Sequence, residues 1–162
     1  MTEPITYRPL TKTDAPAFSL LILDAFNEFI AAEYSEEGRT EFGRYVAPDA
    51  LVERSRSSPH TILLALVGDT PAGVIELRDD DHVTLLFVDA QYQHRGIARA
   101  LLTGAIAIAR PSKPGLERVT VNSSRFGVPA YERLGFRQTG PERTVNGILF
   151  IPMAHRLEAD PG

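Results

Sequence analysis

The 162-residue chain contains no cysteine, which removes disulfides, thiolate metal sites and thiol nucleophiles from consideration. It has no apolar run approaching the roughly 20 residues needed to span a bilayer. Met1–Leu10 lacks the charged-then-apolar pattern of a secretory leader, so the expectation is a cytoplasmic protein working away from membranes. Its four histidines, His60, His82, His94 and His155, are scattered and show no His-x-x-x-His spacing, and no metal site is expected. Internal repeats, long linkers and low-complexity tracts are missing, and neither half carries the basic stripe of a nucleic-acid binder.

What is present suits one domain spanning 1–162, with 43% hydrophobic residues to supply a core. The net charge of −4 conceals an asymmetry: residues 1–81 hold 7 Lys/Arg against 15 Asp/Glu, and residues 82–162 hold 10 against 6. A basic C-terminal half suits a polyanionic cofactor and an acidic N-terminal half a cationic co-substrate, while acidic helices that merely keep the protein dissolved explain the same count.

Apolar spacing predicts a short strand over Ile5–Arg8 and an amphipathic helix with Pro16 in its first turn and Phe18, Leu21, Ile22, Ala25, Phe26, Phe29 and Ile30 on one face. A more acidic helix over Tyr34–Val46 and a third from Pro48 toward Ser57 complete a helical region, 1–58. Strands are predicted over Thr61–Val67, Gly73–Arg78 and Val83–Val88, with turns at Gly68–Pro71 and Asp79–Asp81. A helix over Gly96–Ala109, a strand over Arg118–Asn122, a helix over Val128–Leu134 and a strand over Phe136–Thr139 follow, and Gly147–Leu157 closes the sheet. A meander plus two strand–helix–strand passages implies an α/β (α+β) fold, with a mixed, mostly antiparallel sheet of six to seven strands flanked by helices. The meander argues against a doubly wound nucleotide-binding sheet.

Between the strand ending at Val88 and the helix lies Gln93-His94-Arg95-Gly96-Ile97-Ala98. A helix start leaves about four N–H groups unpaired and carries roughly half a positive charge, which suits a phosphate. Gly96 and Ala98 allow close approach to the backbone, and Arg95 and Arg99 add charge.

Two motifs resemble those of the GNAT superfamily of acyl-CoA N-acyltransferases. Leu86–Leu102 is similar to the family's apolar strand, linker, (Gln/Arg)-x-x-Gly-x-(Gly/Ala) turn and helix with a Leu-Leu pair. Val121-Asn122 followed by Ala130-Tyr131-Glu132-Arg133-Leu134-Gly135-Phe136 is similar to its strand asparagine and Tyr-Glu-x-Leu-Gly-Phe. The linker carries Ala90 where many members have proline, and position 98 is alanine, which the pattern permits. The matched segments run from about Val83 to Phe136.

The resemblance implies acetyl-CoA as donor, a cofactor-binding core over 60–140 and an acceptor side over 1–58. It places the pyrophosphate on the amides of His94, Arg95, Gly96, Ile97, Ala98 and Arg99, with Gln93 and the glycine shaping the turn as part of the cofactor site, and the pantetheine arm along Leu86, Phe87 and Val88 like an added strand. Tyr131 would protonate the departing thiolate, with ring packing as the alternative, and Asn122 would orient the cofactor amide or a water unless it only satisfies a turn. Glu76, where some members carry a catalytic carboxylate, is the candidate base; a solvated strand carboxylate is the alternative. His82 reads as a turn histidine on the surface, His60 and His155 as structural. Arg125 either reaches a further phosphate or is a solvated loop arginine. Glu28, Glu33, Glu36, Glu37 and Glu41, interleaved with Phe26, Phe29, Tyr34 and Phe42, form either an acidic, partly apolar mouth or the wet face of a helical hairpin. The expected reaction is transfer of an acetyl group to a primary amine of a small molecule or protein by direct attack in a ternary complex; a non-catalytic acyl-CoA sensor is the alternative. Pairing through Gly147–Leu157 offers a route to a homodimer.

Overall fold

Strand β2 (His60–Val67) is buried at every residue from Thr61 to Val67 because helices cover both faces of the sheet it lies in. In the computed structural model, which describes residues 3–158, eight strands form the order β1-β2-β3-β4-β5-β8-β6, with β7 paired to β8. The others are β1 (Ile5–Pro9), β3 (Thr70–Arg78), β4 (His82–Val88), β5 (Arg118–Ser123), β6 (Arg137–Gln138), β7 (Arg143–Val145) and β8 (Ile148–Arg156). All pairings are antiparallel except β4 with β5. A doubly wound parallel sheet is thereby excluded.

Helices α1 (Ala15–Phe29), α2 (Glu36–Tyr45) and α3 (Pro48–Ser55) lie toward one face. There Phe18, Leu21 and Ile22 of α1 and Leu51 of α3 bury the Ile62, Leu64, Leu66, Val74 and Leu85 side of the strands. On the opposite face α4 (Ile97–Ala109) buries Ile97, Leu101, Leu102, Ala105, Ile106 and Ala109 against Leu63, Ala65, Val67, Ile75 and Leu77. The short helix α5 (Val128–Arg133) follows β5. No helix among the described residues is long and apolar enough to cross a membrane.

The sequence boundaries shift at three places. The β2–β3 turn is Gly68-Asp69 alone, since Val67 pairs with Thr70, and Pro71 is taken into β3 beside a register shift at Ala65/Leu66. Strand β7 was not expected; it joins β8 through the two-residue turn Asn146-Gly147, whose φ angles of 52° and 76° are those that Asn-Gly hairpins supply. Met153 and Ala154 of β8 pair with β5 on one edge and with β6 on the other, so at these two positions β8 has no free edge for a second copy.

Candidate active site

Strands β4 and β5 pair at two positions only, His82 with Thr120 and Val83 with Val121. Along its other edge β4 stays bonded to β3, but the register jumps from Glu76–Leu85 to Leu77–Val83, leaving Thr84 as the extra residue of a β-bulge. A bulge bends its strand and increases its twist. From Thr84 onward no strand among the described residues pairs with β4 on its β5 side, so Leu86, Phe87 and Val88 lie along an open edge with backbone groups available to a ligand. His82 fastens the base of this fork, its Nδ1 2.7 Å from Thr120 Oγ1. Burial, and then the Arg78 charge, lower its pKa. It is a clasp between strands rather than the surface group expected.

The fork leads to the turn. His94 (φ 66°) and Gly96 (φ 77°) adopt left-handed conformations, and α4 begins at Ile97. The amide of Ala100 bonds Gly96 O at 3.0 Å, so those of Ile97, Ala98 and Arg99 precede the first helical hydrogen bond. Gln93 through Gly96 are exposed, and a Cβ placed on Gly96 would meet nothing within 4 Å, so an anion has free approach to this backbone. Ile97, 2% exposed, anchors the helix start in the core. Where the family often has proline, Ala90 sits in a single 3-10 turn capped by Asp89, whose Oδ1 accepts the Gln91 amide at 2.9 Å. The two arginines divide: the Arg95 guanidinium lies 5.4 Å from the Tyr92 ring centroid beside the turn, whereas Arg99 Nη2 donates to Arg133 O at 2.7 Å and so caps α5.

Across the fork, Asn122 is an exposed residue near the end of β5 and Tyr131 a half-buried residue of α5. The Tyr131 ring meets Phe136 edge-on at 5.3 Å. Leu86, Val88, Ala98 and Tyr131 all pack on the α4-side core, so both walls of the fork and the helix start rest on one cluster. A phenol is protonated at neutral pH at its ordinary pKa of about 10, and burial raises that of Tyr131 further. Arg125 does not reach toward the turn: its Nη2 donates to Glu142 Oε2 at 2.6 Å. The amides of Arg125 and Phe126 instead donate to Glu33 at 2.7 and 3.2 Å, and Phe126 stacks on Phe29. The β5–α5 loop is thus strapped to the α1–α2 connection.

Glu76, the candidate base, is enclosed by hydrogen-bond donors. It is 0% exposed, and its oxygens accept from Tyr45 Oη at 2.7 Å, Arg54 Nε at 2.6 Å and Nη2 at 3.4 Å, His60 Nε2 at 2.6 Å and Thr84 Oγ1 at 2.6 Å. Five bonds exhaust the roughly four lone-pair sites of a carboxylate. Burial pushes its pKa up, but the bonds from His60, Arg54 and Thr84 and the Arg54 charge outweigh it and hold the group at about 2. A carboxylate so placed is held in its charged form by its donors and meets no solvent. Of its partners, the sequence marks only His60, as structural; Tyr45, Arg54 and Thr84 carry no local signal of this role. His155 is structural, its Nδ1 3.1 Å from Gly135 O.

On the α1–α3 side of the fork, Phe87 meets Phe42 at 6.2 Å, Phe42 stacks on Phe26 at 4.1 Å, and Tyr34 stands edge-on to both Phe26 and Phe42. The wall is therefore aromatic. Of the acidic residues expected there, Glu33 is engaged by the two loop amides, while Glu28, Glu36, Glu37 and Glu41 are exposed. The β7–β8 hairpin closes against this wall: the Ser35 amide donates to Gly147 O at 2.9 Å, and Gly38 is buried where a Cβ would overlap that same carbonyl. No group of three or more metal-ligating side chains occurs among the described residues.

The sequence pattern of the acetyltransferase (GNAT) domain matches residues 30–157. The uncharacterized N-acetyltransferase YafP of Escherichia coli (strain K12) is 32% identical over 82 residues, which cover 51% of this chain and 49% of that one, so the match spans about half the length of that relative. Among solved structures, a GCN5-related N-acetyltransferase from Rhodopseudomonas palustris superposes with a TM-score of 0.77 at 20% identity, covering 97% of this chain and 98% of that one. The PaiA N-acetyltransferase from Thermoplasma acidophilum, solved in complex with coenzyme A, superposes with a TM-score of 0.77 at 20% identity, covering 95% of this chain and 99% of that one.

Proposed function

The chain belongs to the GNAT acetyltransferase family, and from that premise we propose that it transfers the acetyl group of acetyl-CoA to a primary amine of a small molecule or protein by direct attack in a ternary complex. One observation carries this reading: the open edge of β4 runs from the bulge at Thr84 into the bare N-terminus of α4. A strand edge without a partner suits the amide-bearing arm of the donor, and a helix start preceded by left-handed His94 and Gly96 suits its pyrophosphate. In this reading Leu86, Phe87 and Val88 pair with the arm, and the amides of His94 through Arg99 take the phosphates.

The donor supplies an activated thioester, and the chain's residues handle its charge and protons. Tyr131, a protonated phenol at neutral pH, donates to the departing sulfur from the α4 side. Asn122 holds a donor amide or a water near the reacting carbon. The amine enters from the opposite side, along Phe87, Phe42 and Tyr34, which favours an acceptor with an apolar body behind its amino group. With Glu76 saturated, the amine surrenders its proton to water, so the rate should climb with pH until the acceptor is neutral.

The test is calorimetric titration with acetyl-CoA, followed by thiol release with a panel of small amines and basic peptides. Binding with acceptor-dependent release is the expected result. Binding without release from any acceptor would leave an acyl-CoA sensor instead, and absence of binding would end the donor assignment.

A further inference from the structure

The residue at which β4 leaves β5 is the residue that Glu76 holds. Pairing between β4 and β5 stops at Val83, the extra residue of the bulge is Thr84, and Thr84 Oγ1 donates to Glu76 Oε1 at 2.6 Å. The carboxylate is itself tied to three other elements: the last residue of α2 through Tyr45, α3 through Arg54 and the first residue of β2 through His60. Arg54 is fixed further, with its guanidinium 3.6 Å from the Tyr45 ring centroid. The network has no solvent-facing member as flexible as a surface ion pair: the side chains of Arg54, His60 and Glu76 are 19%, 9% and 0% exposed.

We propose that Glu76 is a positioning residue for the donor slot, anchoring the Thr84 bulge to α2, α3 and β2 and so keeping the far half of β4 turned away from β5. A bulge costs its strand a regular ladder, and its extra residue is left without a backbone partner. A side-chain bond to a buried charge is about twice as strong as a neutral one, and it replaces here the restraint that the ladder gave up. The same contact explains why a carboxylate stands among otherwise apolar strand residues: Val74, Ile75 and Leu77 on β3 are all buried hydrophobics. The inference deepens the donor reading above and rests on it for the ligand, but the mechanical claim concerns β4 alone.

The test compares wild type with Thr84→Val, which removes the donor at nearly constant shape, and Thr84→Ser, which restores it. Two quantities are read on the full chain: amide hydrogen exchange of Thr84–Phe87 without ligand, and the dissociation constant and turnover with acetyl-CoA. In Thr84→Val, exchange at these amides should quicken by about tenfold and acetyl-CoA affinity should fall by about tenfold, the scale of one charged hydrogen bond, with Thr84→Ser close to wild type. The effect should fall on affinity rather than on maximal turnover, and the pH–rate profile should keep its shape. Unchanged exchange at Thr84–Phe87 in Thr84→Val would overturn the inference. So would a Glu76→Gln variant that binds acetyl-CoA as wild type does but loses the acid limb of the pH profile, because that is the signature of a base. Failure of the wild-type protein to bind acetyl-CoA sinks the donor reading instead, and the exchange measurement still judges the anchor.

Discussion

Acid should remove a defined part of this protein's stability, and Glu76 should be the reason. Its carboxyl is held at about 2 against an ordinary value of 4.5. A folded-state pKa below the unfolded one means that the unfolded chain binds the proton more readily. The contribution is therefore complete above the unfolded value and is lost as pH falls from about 5 to about 2. The difference corresponds to about 3 kcal/mol, since each unit of pKa is worth about 1.4 kcal/mol. Against a typical domain stability of about 5–15 kcal/mol, that is a large share. The assay is urea unfolding of wild type and Glu76→Gln at steps between pH 7 and pH 3. At pH 7 the variant should be less stable by about 3–5 kcal/mol, because Arg54 loses the charge it is paired with in a buried place. The gap should then narrow as pH drops, wild type falling toward the variant. Parallel curves, with a constant gap from pH 7 to pH 3, would show that Glu76 titrates alike in both states and would refute the reasoning.

Three further outcomes test the site. Tyr131→Phe should cut turnover by about a hundredfold or more while leaving acetyl-CoA affinity within about twofold by calorimetry, the pattern of a lost proton donor; unchanged turnover would remove Tyr131 from that role. Gly96→Ala puts a side chain on a backbone at φ 77°, a conformation costing about 1–2 kcal/mol. The unliganded turn already holds this conformation, so the cost should appear as a loss of about 1–2 kcal/mol in urea unfolding, and an unmoved midpoint would show that the turn does not need a left-handed residue at position 96. Gly38→Ala drives a methyl group into the Gly147 carbonyl, so the β7–β8 hairpin must shift, at about 1–3 kcal/mol by chemical denaturation. An unmoved midpoint would mean that the hairpin tip is not seated on α2.

Much of this architecture was legible because its signals are local. The three-strand meander, the phosphate turn and the helix after it announce themselves through alternation, a glycine and an apolar period within a few residues. Most of the misses are non-local. Whether Ile148–Arg156 is an edge or an interior strand depends on Arg118–Ser123 and Arg137–Gln138, far away in sequence. Strand β7 is only three residues long, and its one legible sign is the Asn-Gly turn beside it. Glu76 could be read as a strand carboxylate but not as a saturated one, because Tyr45, Arg54, His60 and Thr84 stand 31, 22, 16 and 8 residues from it in sequence. Arg99 and Arg125 were read by charge alone; their partners, the Arg133 carbonyl and Glu142, decide that neither guanidinium is turned to the anion site.

The fork has a consequence for the molecule as a whole. Two rungs, His82–Thr120 and Val83–Val121, are the whole of the strand pairing between the four-stranded plate β1–β4 and the plate built on β5, β8 and β6 among the described residues. A donor arm laid along β4 would act as a strand borrowed from solution, completing a sheet that the polypeptide leaves unfinished. Folding and cofactor supply then become one equilibrium: at a hundredfold excess over its dissociation constant the donor adds about 2.7 kcal/mol to stability. In a cell whose acetyl-CoA rises and falls, the lifetime of this protein would rise and fall with it.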